Sequence, residues 1–143
     1  MTSSEGEFAA YNKPIIEEFR ANKGIVGGAY KGLPLVLITT KGARSGRDRL
    51  SPVSYIQDGT RIAIAATNAG SDKHPAWYHN LVANPDLTVE IGDDKYEATA
   101  VEVKDEERDR LWAALVESNR RLGKYKAMTS REIPLFVVER KAG

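Results

Sequence analysis

The sequence predicts an α+β fold, a small closed barrel of about six short, mainly antiparallel strands with flanking helices. Three observations predict it. Two pairs of apolar segments are joined by tight-turn signals, at Asp58-Gly59 and at Gly92-Asp93-Asp94, and such turns connect antiparallel neighbours. No strand–helix–strand rhythm with a glycine fingerprint occurs, so a doubly wound nucleotide-binding sheet is not expected. Short antiparallel strands expose unpaired edges, and closing the sheet into a barrel removes them.

The elements follow in order. Residues 5–22 read as an amphipathic helix, with Phe8, Tyr11, Ile15, Ile16 and Phe19 at helical spacing and Lys13, Glu17, Glu18 and Arg20 elsewhere. Pro14 suits a first turn and marks a candidate helix start. Gly24, Gly27, Gly28 and Gly32 make a linker, which sets residues 1–32 apart from a barrel over 33–143. Leu35 to Thr40 is a short apolar run fit for a buried strand. After a glycine-punctuated loop, Asp48 to Gln57 and Arg61 to Ala66 form the first hairpin. Pro75 to Val82 reads as a short helix with proline in its first turn, ended by Asn84-Pro85-Asp86. Leu87 to Ile91 and Tyr96 to Val103 form the second hairpin. A helix begins at Asp105, read as its cap, with Glu106 and Glu107 in the first turn and Trp112, Leu115 and Val116 as its apolar stripe. Arg120 to Arg131 reads as polar and irregular, and Ile133 to Val138 as the last strand.

Composition narrows the function. The 143 residues carry 21 basic and 20 acidic side chains, a net charge of +1, which excludes a dedicated nucleic-acid binder. There is no cysteine, so disulfides, thiolate metal sites, iron–sulfur clusters and thiol nucleophiles are excluded. His74 and His79 are the only histidines and have no metal-ligand spacing; both read as structural or exposed. No serine nucleophile elbow is present. The start lacks a secretory signal, and no apolar run approaches the ~20 residues of a membrane span. These features suit a cytoplasmic protein.

Two segments could hold anions. Lys41, Arg44, Arg47 and Arg49 crowd one loop against a single acid, Asp48, and Gly42 and Gly46 let backbone approach a ligand. A solvated basic turn is the plain alternative. The second segment is Lys73-His74-Pro75-Ala76-Trp77-Tyr78, where a lysine adds its charge to a helix start and the aromatics offer either a flat wall or core packing.

These pieces in this order resemble the deazaflavin-dependent nitroreductase family. The resemblance rests on Thr39-Thr40-Lys41-Gly42-Ala43-Arg44-Ser45-Gly46, Arg49-x-Ser51-Pro52, Ala65-Ala66-Thr67-Asn68-Ala69-Gly70, Lys73-His74-Pro75-Ala76-Trp77-Tyr78-x-Asn80-Leu81, Asn84-Pro85 and Arg131-x-Ile133-Pro134. It implies a split β-barrel of the flavin-reductase and FMN-binding kind. It also implies coenzyme F-420 as the cofactor, with FMN the alternative, and hydride transfer to a quinone, nitro or other conjugated acceptor. A non-catalytic deazaflavin carrier is the remaining alternative.

By the same resemblance, Lys41, Arg44, Ser45, Arg47 and Arg49 hold the phosphate and polyglutamate tail of the cofactor, followed along the wall by Ser51, Pro52 and Tyr55. Ala66, Thr67, Asn68, Ala69 and Gly70 line the ring, and Lys73, Pro75, Ala76, Trp77 and Asn80 complete the pocket. Thr67 and Tyr125 are the candidate catalytic hydroxyls, the latter on the acceptor side. The best-known nitroimidazole-activating member has several tyrosines before its last strand, of which this chain keeps only Tyr125. Peripheral contact with the inner face of the plasma membrane and a homodimer are left open. The helix over Pro14 to Ala21 has a mixed-charge polar face, which favours packing on the barrel or a partner over a membrane surface.

Overall fold

The computed structural model describes residues 3–27 and 32–141, without the side chains of residues 3–11 and Ala69. Seven antiparallel strands form one curled sheet in the order β2-β1-β5-β6-β7-β4-β3. They are β1 (Leu35–Lys41), β2 (Asp48–Ser54), β3 (Ile56–Asp58), β4 (Arg61–Ala65), β5 (Asp86–Ile91), β6 (Asp94–Val103) and β7 (Leu135–Arg140). Four helices flank the sheet: α1 (Ser3–Ala21), α2 (Ala76–Ala83), α3 (Asp105–Ser118) and α4 (Arg121–Ala127). This is the expected α+β split barrel.

The strand expected over Asp48 to Gln57 is extended throughout, but its pairing divides at Tyr55. Leu35 faces Ser54 across β1 and β2, whereas Ile56 faces Ala63 across β3 and β4. β2 and β3 are the two outer strands, so a single residue joins opposite edges of the sheet. The sheet therefore has to curl until those edges meet. That connection raises the strand number from about six to seven.

Burial explains which strands read as unbroken apolar runs. One core fills the barrel with Val36, Ile38, Ile62, Ile64, Val89, Ala98, Phe136 and Val138, closed by Trp77 and Leu81 of α2. A second lies on the outer face of β4 and β7, under Leu111 and Leu115 of α3 and Leu122 of α4. A third joins Leu35 and Leu37 to Phe19 and Val26. β1, β4 and β7 are thus covered on both faces along their apolar runs, while β5 alternates because one face meets water.

Three local expectations are corrected. Pro14 lies inside α1 rather than at its start, so the helix runs through the missing N–H. Asp105 does not cap α3: the cap position is Lys104, without a side-chain bond, and Asp105 takes a left-handed φ of 58° as the first helical residue. The segment expected to be irregular contains α4, because Leu122 buries against α3.

α1 packs on the barrel through Phe19, which is 1% exposed, with Ile15 and Ile16 beside it. Full burial of such a ring contributes about 1.5–3 kcal/mol. Arg20 adds a two-pronged contact to Glu90 at 2.9 and 3.2 Å. Phe8 and Tyr11, expected on the same face, lie outside the described side chains. No helix among the described residues is long and apolar enough to cross a membrane.

Candidate functional site

The basic loop is a tight turn between β1 and β2. The Gly42 N–H donates to Arg47 O at 2.7 Å, and the Gly46 N–H donates to Gly42 O at 2.9 Å. Gly46 has φ +70°, and a side chain on Gly42 would come within 2.6 Å of Ser45 Oγ and 3.2 Å of Arg47 O. Both glycines are therefore dictated by the turn. Ser45 Oγ accepts from the Arg47 N–H at 3.1 Å, so this serine braces the turn. Lys41 sits 3.6 Å from Asp48. Arg44 and Arg47 are exposed and have no carboxylate partner among the described residues. Arg49 is half-buried opposite Thr40, and Ser51 and Pro52 continue along β2 opposite Ile38 and Leu37. Tyr55 is half-buried against the barrel core.

Asn80 ties this turn to α2. Its side chain is 6% exposed, its Nδ2 donates to Thr40 Oγ1 at 3.0 Å, and its Oδ1 accepts from the Ala43 N–H at 2.9 Å. A buried amide so engaged positions the basic turn from within the protein. It ties that turn to α2, the helix that begins directly after Pro75 of the second candidate anion segment. Pro75 is the cap of α2 rather than its first helical residue. Lys73 and Ala76 are exposed. Trp77 turns into the barrel, 8% exposed and edge-on to Phe136 at 6.0 Å, so its ring is a core group here.

The loop expected to line the ring runs from the end of β4 to α2. Ala66 is fully buried, and its N–H donates to Pro134 O at 2.9 Å, so it offers the loop only its backbone. Thr67 is right-handed at φ −76°, and Asn68 is left-handed at φ 47°. A side-chain amide is one of the few that tolerates that region. Asn68 Nδ2 donates to Lys73 O at 3.1 Å and closes the loop. The turn Asn68–Gly70 packs against α4, where Gly70, at φ +83°, faces Met128. Tyr125 is half-buried on α4 against the core under α3. The side chain of Ala69 lies outside the description.

Sequence reasoning assigned no role to Arg131, and the structure gives it one. Its Nε donates to Ser71 O at 2.9 Å and its Nη2 to Ala66 O at 3.1 Å and Thr67 O at 2.8 Å. Its Nη1 lies 3.1 Å from His74 Nδ1. An arginine only donates, so Nδ1 accepts and His74 is neutral with its proton on Nε2. Burial, then the nearby Arg131 and His79 charges, hold the His74 pKa below its ordinary value. Thr129 Oγ1 donates to Asp72 Oδ1 at 2.8 Å and accepts from the Arg131 N–H at 3.3 Å, joining the approach to β7 to the same loop. The signal in the sequence was the segment Arg131-x-Ile133-Pro134 ahead of β7.

Among the described residues no group of acids and histidines could hold a metal. The exposed arginines offer charge-assisted donors to an anion. Exposed arginines stand on one turn, which Asn80 ties to α2, and the loop 66–70, its carbonyls held by Arg131, precedes α2 in the chain.

A family model described as F-420H(2)-dependent quinone reductase matches residues 13–140. An F-420H(2)-dependent quinone reductase of Mycobacterium tuberculosis is 35% identical over 127 residues, 86% of this chain and 85% of that protein. Among solved structures, an F-420-H2 dependent reductase, FDR-A, is 40% identical at TM-score 0.69, covering 74% of this chain and 94% of that one. A second, described as a domain-swapped dimer, is 36% identical at TM-score 0.71, covering 88% and 96%. The match spans nearly all of the barrel and every segment built above, and the chain belongs to the F-420H(2)-dependent quinone reductase family, oxidoreductases whose cofactor is the deazaflavin F-420.

Proposed function

We propose that the basic turn and the loop 66–70 form one binding site for reduced F-420, and that a quinone is the hydride acceptor. The observation that carries this is the Asn80 link, which fixes the exposed arginines of residues 42–47 relative to α2 and the adjoining loop. Arg44, Arg47 and Arg49, with Lys41 and Lys73, would hold the anionic tail through charge-assisted bonds. Thr67, Asn68 and Gly70 would lie along the ring, where their small size lets a flat group meet the backbone. When bound, reduced F-420 supplies a hydride.

The residues of the chain do the rest. The turn 42–47 binds and orients. The N–H groups and hydroxyl near Thr67 stabilise negative charge that develops beside them. The Tyr125 hydroxyl, on a helix packed against the turn 68–70, donates a proton or a hydrogen bond on the acceptor side. This describes a cytoplasmic enzyme that meets its acceptor in solution or at the inner face of the plasma membrane. A homodimer is supported by the 36%-identical structure described as a domain-swapped dimer and is checked by light scattering.

Titration of the purified protein with F-420 and with FMN, in low and high salt, tests the site. Saturable, salt-weakened binding of F-420 and little binding of FMN are expected. Preference for FMN would reject the reading.

A further inference from the structure

One guanidinium reaches the carbonyls of Ala66, Thr67 and Ser71 and the ring of His74. Among the described residues every peptide bond is trans. In a trans peptide the N–H points opposite to the C=O. Because the Ala66 and Thr67 carbonyls converge on Arg131 Nη2, the N–H groups of Thr67 and Asn68 are turned away from it together. The handedness of these residues favours the same result. A right-handed residue followed by a left-handed one, here Thr67 and then Asn68, sets successive N–H groups around a concavity that accepts an anionic or electron-rich oxygen. Neither N–H has an acceptor among the described residues.

We propose that Arg131 is a positioning residue that aims the Thr67 and Asn68 N–H groups at an electron-rich oxygen of the bound ring system. This rests on the reading that loop 66–70 lines the ring. Arg131 is on the far side of the peptide planes and acts through them without touching the ligand. Its planar fork is suited to the task, since it serves three carbonyls and an imidazole at fixed angles, whereas a lysine ammonium is a single point. The left-handed Asn68 is a conformation that needs holding, and Arg131 supplies the hold.

The test uses the full chain, labelled with nitrogen-15, and oxidised F-420 as the probe. In the unsubstituted protein, F-420 should shift the Thr67 and Asn68 amide resonances along with those of the turn 42–47. In Arg131→Lys the Thr67 and Asn68 amides should already be displaced without ligand while those of β5 and β6 stay in place. The Kd for F-420 should rise about tenfold, the equivalent of one charge-assisted hydrogen bond. If Arg131→Lys does not fold, Thr129→Val loosens the segment carrying Arg131 and should give a smaller change of the same sign. A folded Arg131→Lys with unchanged Kd and unchanged Thr67 and Asn68 amides overturns the proposal. So does F-420 binding that shifts the turn 42–47 but leaves Thr67 and Asn68 unmoved, and that result leaves the basic-turn site standing. Binding that shifts neither segment overturns the site reading and the proposal together.

Discussion

Asn80 and Thr40 meet inside the barrel end, with Asn80 Nδ2 donating to Thr40 Oγ1 at 3.0 Å while the same side chain accepts from the Ala43 N–H. Asn80→Ala strands a buried hydroxyl and a peptide N–H. It should cost about 1–3 kcal/mol in chemical denaturation. F-420 affinity should fall as well, because the turn 42–47 loses its anchor. Asn80→Asp keeps an acceptor for Ala43 and should retain more affinity than Asn80→Ala. Equal binding by all three proteins would dissociate the link from the cofactor site.

The arginine turn is tested by charge removal. Arg44→Ala and Arg49→Ala together should weaken F-420 binding and flatten its dependence on salt, since fewer charged contacts remain to screen. About tenfold per lost contact is the expected scale. The readout is cofactor fluorescence at several ionic strengths, with thermal unfolding as the control for folding.

Tyr125→Phe keeps the ring that packs under α3 and removes only the hydroxyl. Stability should hardly change. Single-turnover oxidation of bound reduced cofactor by a soluble quinone should slow by roughly ten- to a thousandfold, the range for one acid or oxyanion donor. An unchanged rate removes the donor role, and a large loss of F-420 affinity moves Tyr125 to the cofactor side.

His74 makes stability depend on mild acid. Its pKa in the folded protein is lowered from 6.5 by burial first and then by Arg131 and His79. The unfolded chain therefore binds the proton more readily. Stability from this group is complete above pH 6.5 and is lost as pH falls through the lower folded value. The thermal midpoint should drop over that window, and His74→Asn should flatten the drop.

Two glycines with similar φ separate conformation from contact. Gly59 has φ +65° with open space around it, whereas a side chain on Gly70, at φ +83°, would lie 2.9 Å from Met128 Sδ and 3.1 Å from its Cβ. Gly59→Ala should cost about 1 kcal/mol, the left-handed penalty alone. Gly70→Ala should cost more, by the displacement of Met128 from the turn Asn68–Gly70. Thermal melts of the two variants give the comparison.

Local pattern made much of this molecule legible. The turn signals at Gly59 and Gly92 placed both hairpins, and both glycines take the positive φ those turns need. The apolar run of β1 announced a buried strand, and those of β4 and β7 announced strands without showing that both of their faces are covered. The glycine-spaced basic turn was legible for the same reason, because its conformation is set within six residues. The placement of Trp77 was not: an aromatic beside a helix start fits a pocket wall and a core equally until its neighbours are known, and in the fold it packs edge-on to Phe136.

Most elements, the turn residues, the basic turn and the family to which these motifs point were legible along the chain, since each depends on side chains close together in it; α4 and the division of β2 from β3 were not. Long-range packing alone shows that the strand through Tyr55 pairs at both edges of the sheet, that Asn80 reaches back 40 residues to Thr40, and that Arg131 holds the peptide groups of Ala66 and Thr67 from 65 and 64 residues away. These bonds join groups by where the curled sheet brings its ends together. A half-buried guanidinium and a buried amide look in sequence like any exposed arginine and asparagine, because what distinguishes them is the distant partners that the fold brings to them.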